Sequence, residues 1–157
     1  IKAVNKSIVV AVKDNEGAKL LMTIPRVGYY SALLIQSEIG DINRFPSAKQ
    51  LCSYAGLIPS TYSSGNTTFH GHITKQGSRW LRWIAAEAMR HCVAKPGHLQ
   101  GFYLRLERRK GEKTAKVATE RKLMEWIYHM LKGRRTFQDM EKIASAWGKP
   151  ATVTGSR

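Results

Sequence analysis

Apolar residues recur along most of this chain at helical rather than strand spacing. Residues 1–13 (IKAVNKSIVVAVK) mix apolar blocks with lysines, a pattern that suits a helix, although Val and Ile also suit a strand. Asp14-Asn15-Glu16-Gly17 breaks it. Leu20, Leu21 and Ile24 then close a short helix, Pro25 and Gly28 enforce a tight turn, and Tyr29 to Ile39 resume the helical period through Ala32, Leu33, Ile35 and Ile39. Gly40 is a natural stop. Asp41 caps a turn, Phe45-Pro46 is expected in the core, and Ser47 is a good N-cap for a short helix to Tyr54.

Residues 59–77 (PSTYSSGNTTFHGHITKQG) change character and read as one long polar loop. Only Thr68-Phe69-His70-Gly71-His72-Ile73 alternates as a β-ribbon would. A loop this long inside a compact domain tends to be functional or mobile. Ser78 then caps a strong helix whose buried stripe is Leu81, Ile84, Ala85, Ala88 and Cys92. Pro96-Gly97 ends it. Residues 98–109 make another helical stretch, Lys110-Gly111-Glu112-Lys113 a polar turn, and 114–131 a long amphipathic helix with Val117, Met124, Ile127, Tyr128 and Leu131 inward. The tail beyond Gly148 is small and polar, and is expected to fray.

Composition narrows the class. The 157 residues suit one ordinary domain, and 43% hydrophobic content is enough for a core. Lys and Arg number 26 against 11 Asp and Glu, a net charge of +15, which calls for a polyanionic partner. No apolar run is long enough to span a membrane and no signal peptide opens the chain. Cys52 and Cys92 make neither a disulfide framework nor a metal-ligand spacing, so a reducing, cytoplasmic setting is expected. Ile1 is not an initiator methionine, and the chain reads as a piece of a longer protein.

Three constellations could carry chemistry. Ile24-Pro25-Arg26-Val27-Gly28 between two short helices resembles the helix–hairpin–helix of DNA-binding proteins, in which backbone N–H groups meet a phosphate. Arg26 stands where that motif often has glycine, and Gly28 lets the backbone approach closely. The plain alternative is an ordinary turn between helices. Second, Arg79, Arg82 and Arg90 fall within a helical sector about 80° wide, suited to tracking a phosphate backbone. Lys75 and Arg79 bracket the start of that helix. A solvated helix face is the alternative. Third, Ser63-Ser64 precedes Gly65 in the polar segment, followed by His70, His72, Lys75 and Arg79. A serine attacking phosphorus needs a base or metal for its proton and cations for the developing charge. A simple turn is the alternative, and Ser63 rivals Ser64. The acidic residues are scattered, so no metal site is expected in this chain. The four tryptophans, Trp80, Trp83, Trp126 and Trp147, are expected to serve packing rather than base stacking, with Trp147 left open.

The order of these pieces resembles a family. The run from LMTIPRVGYYSALLIQSEIGDINRFPSAKQLCSYAGLIPSTYSSG through NTTFHGHITKQGSRWLRWIAAEAM is similar to the C-terminal transposase domain of the IS110/IS116/IS902 insertion-sequence transposases. KTAKVATERKLMEWIYHMLKGRRTF is similar to that domain's closing helix. The resemblance implies a mainly α fold: one helical domain with a helix–hairpin–helix-like element and the long Ser/Gly loop. It divides the chain into the end of a linker helix (1–17), the transposase domain (18–137) and a helix end with a tail (138–157). It also implies that the serine directly before the loop glycine, here Ser64, attacks a DNA phosphodiester and forms a phosphoserine link. The Mg²⁺ ligands of such enzymes lie in an N-terminal RuvC-like domain absent here, so the chain alone is expected to be inactive. The implied partners are DNA, further copies of the protein and, in at least some members, a structured guide RNA, in a prokaryotic, nucleoid-associated setting. A non-catalytic nucleic-acid-binding module is the second reading, and a structural or protein-interaction role the third.

Overall fold

The computed structural model describes the backbone of residues 2–64, 67–73 and 75–147, and the side chains of residues 7–58, 73 and 75–146. The opening segment is helical, α1 (Lys2–Lys13). The Asn15 side chain accepts from the Ala18 N–H and so starts α2 (Glu16–Leu21). The turn through Pro25 leads into α3 (Tyr29–Ile39), which ends at Gly40 with a positive φ of 63°. A single 3₁₀ turn (Ile42–Arg44), capped by Asp41, precedes α4 (Ala48–Tyr54), capped by Ser47. Phe45 is buried as expected, whereas Pro46 is exposed.

The polar segment is more ordered than a loop. Strands β1 (Pro59–Ser64) and β2 (Thr67–Ile73) pair antiparallel, with rungs running from Pro59↔Ile73 to Ser64↔Thr67 and an irregularity between Pro59 and Thr61. The alternating run therefore does become a strand, and the less patterned PSTYSS becomes its partner. Pairing with the adjacent strand overrides weak single-residue preference there.

The remainder is helical: α5 (Arg79–Val93), α6 (His98–Lys110), α7 (Glu112–Gly133) and α8 (Phe137–Trp147). Only Gly111, at φ 82°, separates α6 from α7, so the expected four-residue turn contracts to one residue. Helix α7 is the centre of the molecule, packing against α2, α4, α5, α6 and α8. Leu123, Met124, Trp126, Ile127, Tyr128 and Met130 are buried on several of its faces, as a helix surrounded by others requires. Val117 and Leu131, expected inward, are only half-buried; Ala115 and Thr119 take the contact positions instead. Thr119 satisfies its hydroxyl by donating to the Ala115 carbonyl at 2.8 Å. Helix α8 begins at a capping box of its own, in which Thr136 and Asp139 exchange hydrogen bonds. Trp126 is buried, but Trp80 and Trp83 are 43% and 49% exposed. The packing role expected of those two tryptophans is corrected: their positions on α5 lie off the buried stripe. The tail and the Trp147 side chain lie outside the described residues.

Candidate nucleic-acid interface

The base of the β1–β2 hairpin is built by α4 and the start of α5. Gly56 and Gly77 adopt φ values of 70° and 131°, and a Cβ on Gly77 would collide with the Tyr54 carbonyl oxygen. The Ser78 N–H donates to that same oxygen at 2.9 Å. Ser78 Oγ accepts from the Leu81 N–H at 3.2 Å and donates to Glu38 Oε2 at 2.6 Å. Arg82 closes the junction, its Nη1 donating to the carbonyls of Ala55 (2.9 Å) and Gly77 (3.3 Å). Both ends of the hairpin are thus fixed on one surface of the helical body.

Ser63 and Ser64 occupy the rungs opposite Thr68 and Thr67, at the far end of that hairpin, and their side chains lie outside the described residues. Five strand steps separate Ser64 from the basal rung at Pro59, about 17 Å at the usual rise. Lys75 and Arg79 lie just beyond the opposite end, both exposed. Within one copy of this chain the hairpin therefore separates the two serines from the two cations. His70 pairs with Thr61, midway along.

The three arginines of α5 have different surroundings. The Arg79 guanidinium sits 5.1 Å from the Trp80 ring centroid, exposed. Arg82 is committed to the two carbonyls. Arg90 pairs with Glu87 at 2.6 Å, at the surface. The helical period places them on one strip but could not show which carbonyls lie beneath the middle one. Arg44 is a further cation held internally, donating to the Ile39 and Glu38 carbonyls at 2.8 and 3.0 Å and so capping the end of α3.

The turn before α3 is differently made. Arg26 is exposed and left-handed, at φ 67°, which costs a non-glycine residue about 1–2 kcal/mol. Gly28, the N-cap at φ −91°, has no side chain to offer the first N–H groups of α3. Val27 is buried and anchors the turn. Tyr29 and Tyr30 are exposed beside it. Sequence reading missed the exposure of these two tyrosines.

Burial pushes the thiols of Cys52 and Cys92 up to about 12, so neither is a thiolate at neutral pH. Burial also holds His98, on α6, below the ordinary imidazole value. Among the described residues no three of His, Cys, Asp and Glu come together as ligands for a metal ion. No described helix is long and apolar enough to cross a membrane.

Comparison with known proteins places this architecture. Residues 18–104 match the family described as Transposase IS116/IS110/IS902 family. The chain is 32% identical over 130 residues to the transposase for insertion sequence element IS1111A of Coxiella burnetii, covering 80% of this chain and 36% of that protein. It is 34% identical over 133 residues to the pilin gene-inverting protein of Moraxella bovis, covering 78% of this chain and 39% of that one. An insertion element IS116 protein of Streptomyces clavuligerus is 25% identical over 141 residues, 87% of this chain and 35% of its own length. The chain spans little more than a third of each of these relatives.

Proposed function

The chain belongs to the IS116/IS110/IS902 transposase family, and on that premise we propose that it is the part of a DNA transposase or recombinase that grips nucleic acid and supplies a serine nucleophile. The observation that carries this reading is the hairpin register. It puts Ser64 at the last described rung of a two-stranded arm whose base is fixed by Gly56, Gly77, Ser78 and Arg82. Such an arm can present a hydroxyl to a duplex while the helical body stays outside it.

In the proposed step Ser64 Oγ forms a bond to phosphorus and one P–O ester bond of the DNA strand breaks. The serine proton passes to a base, for which His70 and His72 on β2 are candidates, and the departing sugar oxygen takes up a proton. Lys75, Arg79 and Arg26 hold neighbouring phosphates. With Lys75 and Arg79 distant from Ser64 along the hairpin, the charges around the reacting phosphate come from another domain or another copy of the protein. The Mg²⁺ expected for the family would be held by that other part. An assembly of several copies, and a guide RNA as a second ligand, fit a chain of charge +15.

The test uses full-length protein and a suicide DNA substrate that traps the covalent intermediate. Ser64→Ala should abolish the protein–DNA adduct while leaving DNA affinity unchanged, and Ser63→Ala should retain the adduct. The reverse pattern moves the nucleophile by one residue. Adduct formation by both single variants overturns the assignment to this serine pair. A protein that binds DNA but never forms an adduct is instead the non-catalytic module, a reading favoured by the separation of Lys75 and Arg79 from Ser64.

A further inference from the structure

A cavity of about 200 Å³ opens between the turn ahead of α3 and the outer face of α5. Its floor is apolar: Val27, Ile84 and Ala88 are all buried. Trp83 forms one wall, and 49% of that residue remains exposed. Arg26, Glu87 and His91 also line the cavity. Trp83, Glu87 and His91 recur every fourth residue along α5, so one helix face presents an aromatic ring, a carboxylate and an imidazole in sequence. Glu87 has its Oε1 on Arg90, and its other oxygen has no hydrogen-bond partner among the described residues.

The volume is below the ~300–1,000 Å³ of sites that enclose a whole cofactor, so the occupant is one flat group rather than a dinucleotide. An apolar floor beside an indole suits a π-face. A carboxylate oxygen accepts from an exocyclic amine, as it does from cytosine N4. Arg26, exposed and lining the same cavity, is the cation available to a phosphodiester attached to that group. A carboxylate in a site meant only for backbone phosphate would repel it, and that contrast favours a base over a phosphate as the occupant.

We propose that this cavity is a subsite for one unpaired nucleobase bearing an exocyclic amine, stacked on Trp83, with its amine on Glu87 and its adjoining phosphate on Arg26. The assignment rests on the reading of this chain as a nucleic-acid-binding part of a transposase. It adds to it that strand opening or a displaced single strand is read on the α5 face, away from the serine arm.

The experiment compares short single-stranded oligo(dC), oligo(dT) and a mixed-sequence duplex by fluorescence anisotropy, with tryptophan quenching recorded in parallel. Oligo(dC) should bind about three- to tenfold more tightly than oligo(dT), which presents the O4 acceptor where cytosine has its N4 amine donor. Trp83→Ala should weaken single-strand binding about 5- to 100-fold, leave duplex affinity in place and remove most of the quenching. Trp83→Phe, which keeps an aromatic face, should restore much of the affinity. Glu87→Ala frees Arg90 and shifts all affinities together, but should bring the dC-to-dT ratio to about one. Equal binding of dC and dT, or single-strand affinity indifferent to Trp83→Ala, overturns the subsite and leaves the wider reading standing. Wild-type self-association that Trp83→Ala abolishes, with single-strand affinity unmoved, likewise overturns it and makes the face a contact between copies. Absence of binding to any of the three at low salt overturns the nucleic-acid reading itself. Circular dichroism melting of each variant establishes that the fold is retained.

Discussion

Three cations among the described residues, Arg26, Lys75 and Arg134, are left-handed a few residues ahead of a helix, and the segments of the first two are completed in opposite ways. Lys75 (φ 53°) precedes α5, where Ser78 caps the helix, Glu38 holds Ser78, and Arg82 ties down two carbonyls. Arg26 (φ 67°) precedes α3, where the cap is a glycine without a side chain and Tyr29 and Tyr30 beyond it are exposed. The first junction is satisfied from within the protein and works as a hinge-less mount for the hairpin. The second leaves its polar groups and aromatic rings available to a ligand. Similar backbone and similar charge therefore do not make similar sites; what differs is whether tertiary neighbours have already taken the hydrogen-bonding capacity.

The largest expected effect breaks the mounted side. Gly77→Ala drives a methyl into the Tyr54 carbonyl at a φ that L-residues rarely adopt, and should cost about 2–4 kcal/mol in urea denaturation. A loss below ~1 kcal/mol would mean the junction is soft. Next comes a pair that sharpens the contrast. Arg82→Ala removes charge-assisted bonds to two carbonyls and should lower stability by about 1.5–3 kcal/mol. Arg26→Gly relieves left-handed strain, offset in part by glycine's chain entropy, and should leave stability level or raise it by up to ~1 kcal/mol while weakening DNA binding. If Arg26→Gly destabilises the fold instead, the turn is as internally committed as the other junction.

The smallest effect is a titration. The Asp139 carboxyl at the start of α8 is held below its ordinary range, first by the Thr136 N–H and then by the Thr136 hydroxyl. A depressed carboxylate contributes stability that is complete above its unfolded value near ~3.9 and is lost as pH falls through the lower folded value. Amide signals of residues 136–139 should therefore shift together below about pH 4. The first turn of α3, which has no acidic residue, should stay unmoved over the same range.

The sequence by itself determined the helices, because caps and stops act within one turn of the chain. Asp41, Ser47, Ser78 and Gly40 each end or begin an element where local chemistry requires it. It also determined the charge, and the motif order that identifies the family. Only tertiary structure decided which cations remain available. Arg82 finds its carbonyl 27 residues away, and the Glu141 carboxylate on α8 accepts the His98 N–H at the start of α6 from 43 residues away. It likewise decided that Trp126 is core while Trp83 is surface. Periodicity gives the faces of a helix, but the number of faces that are covered depends on the neighbours: α7 is surrounded, whereas α5 keeps one side open. The distance from Ser64 to Lys75 and Arg79 has the same origin, since closeness along the chain becomes separation in space once the intervening residues pair as an extended hairpin.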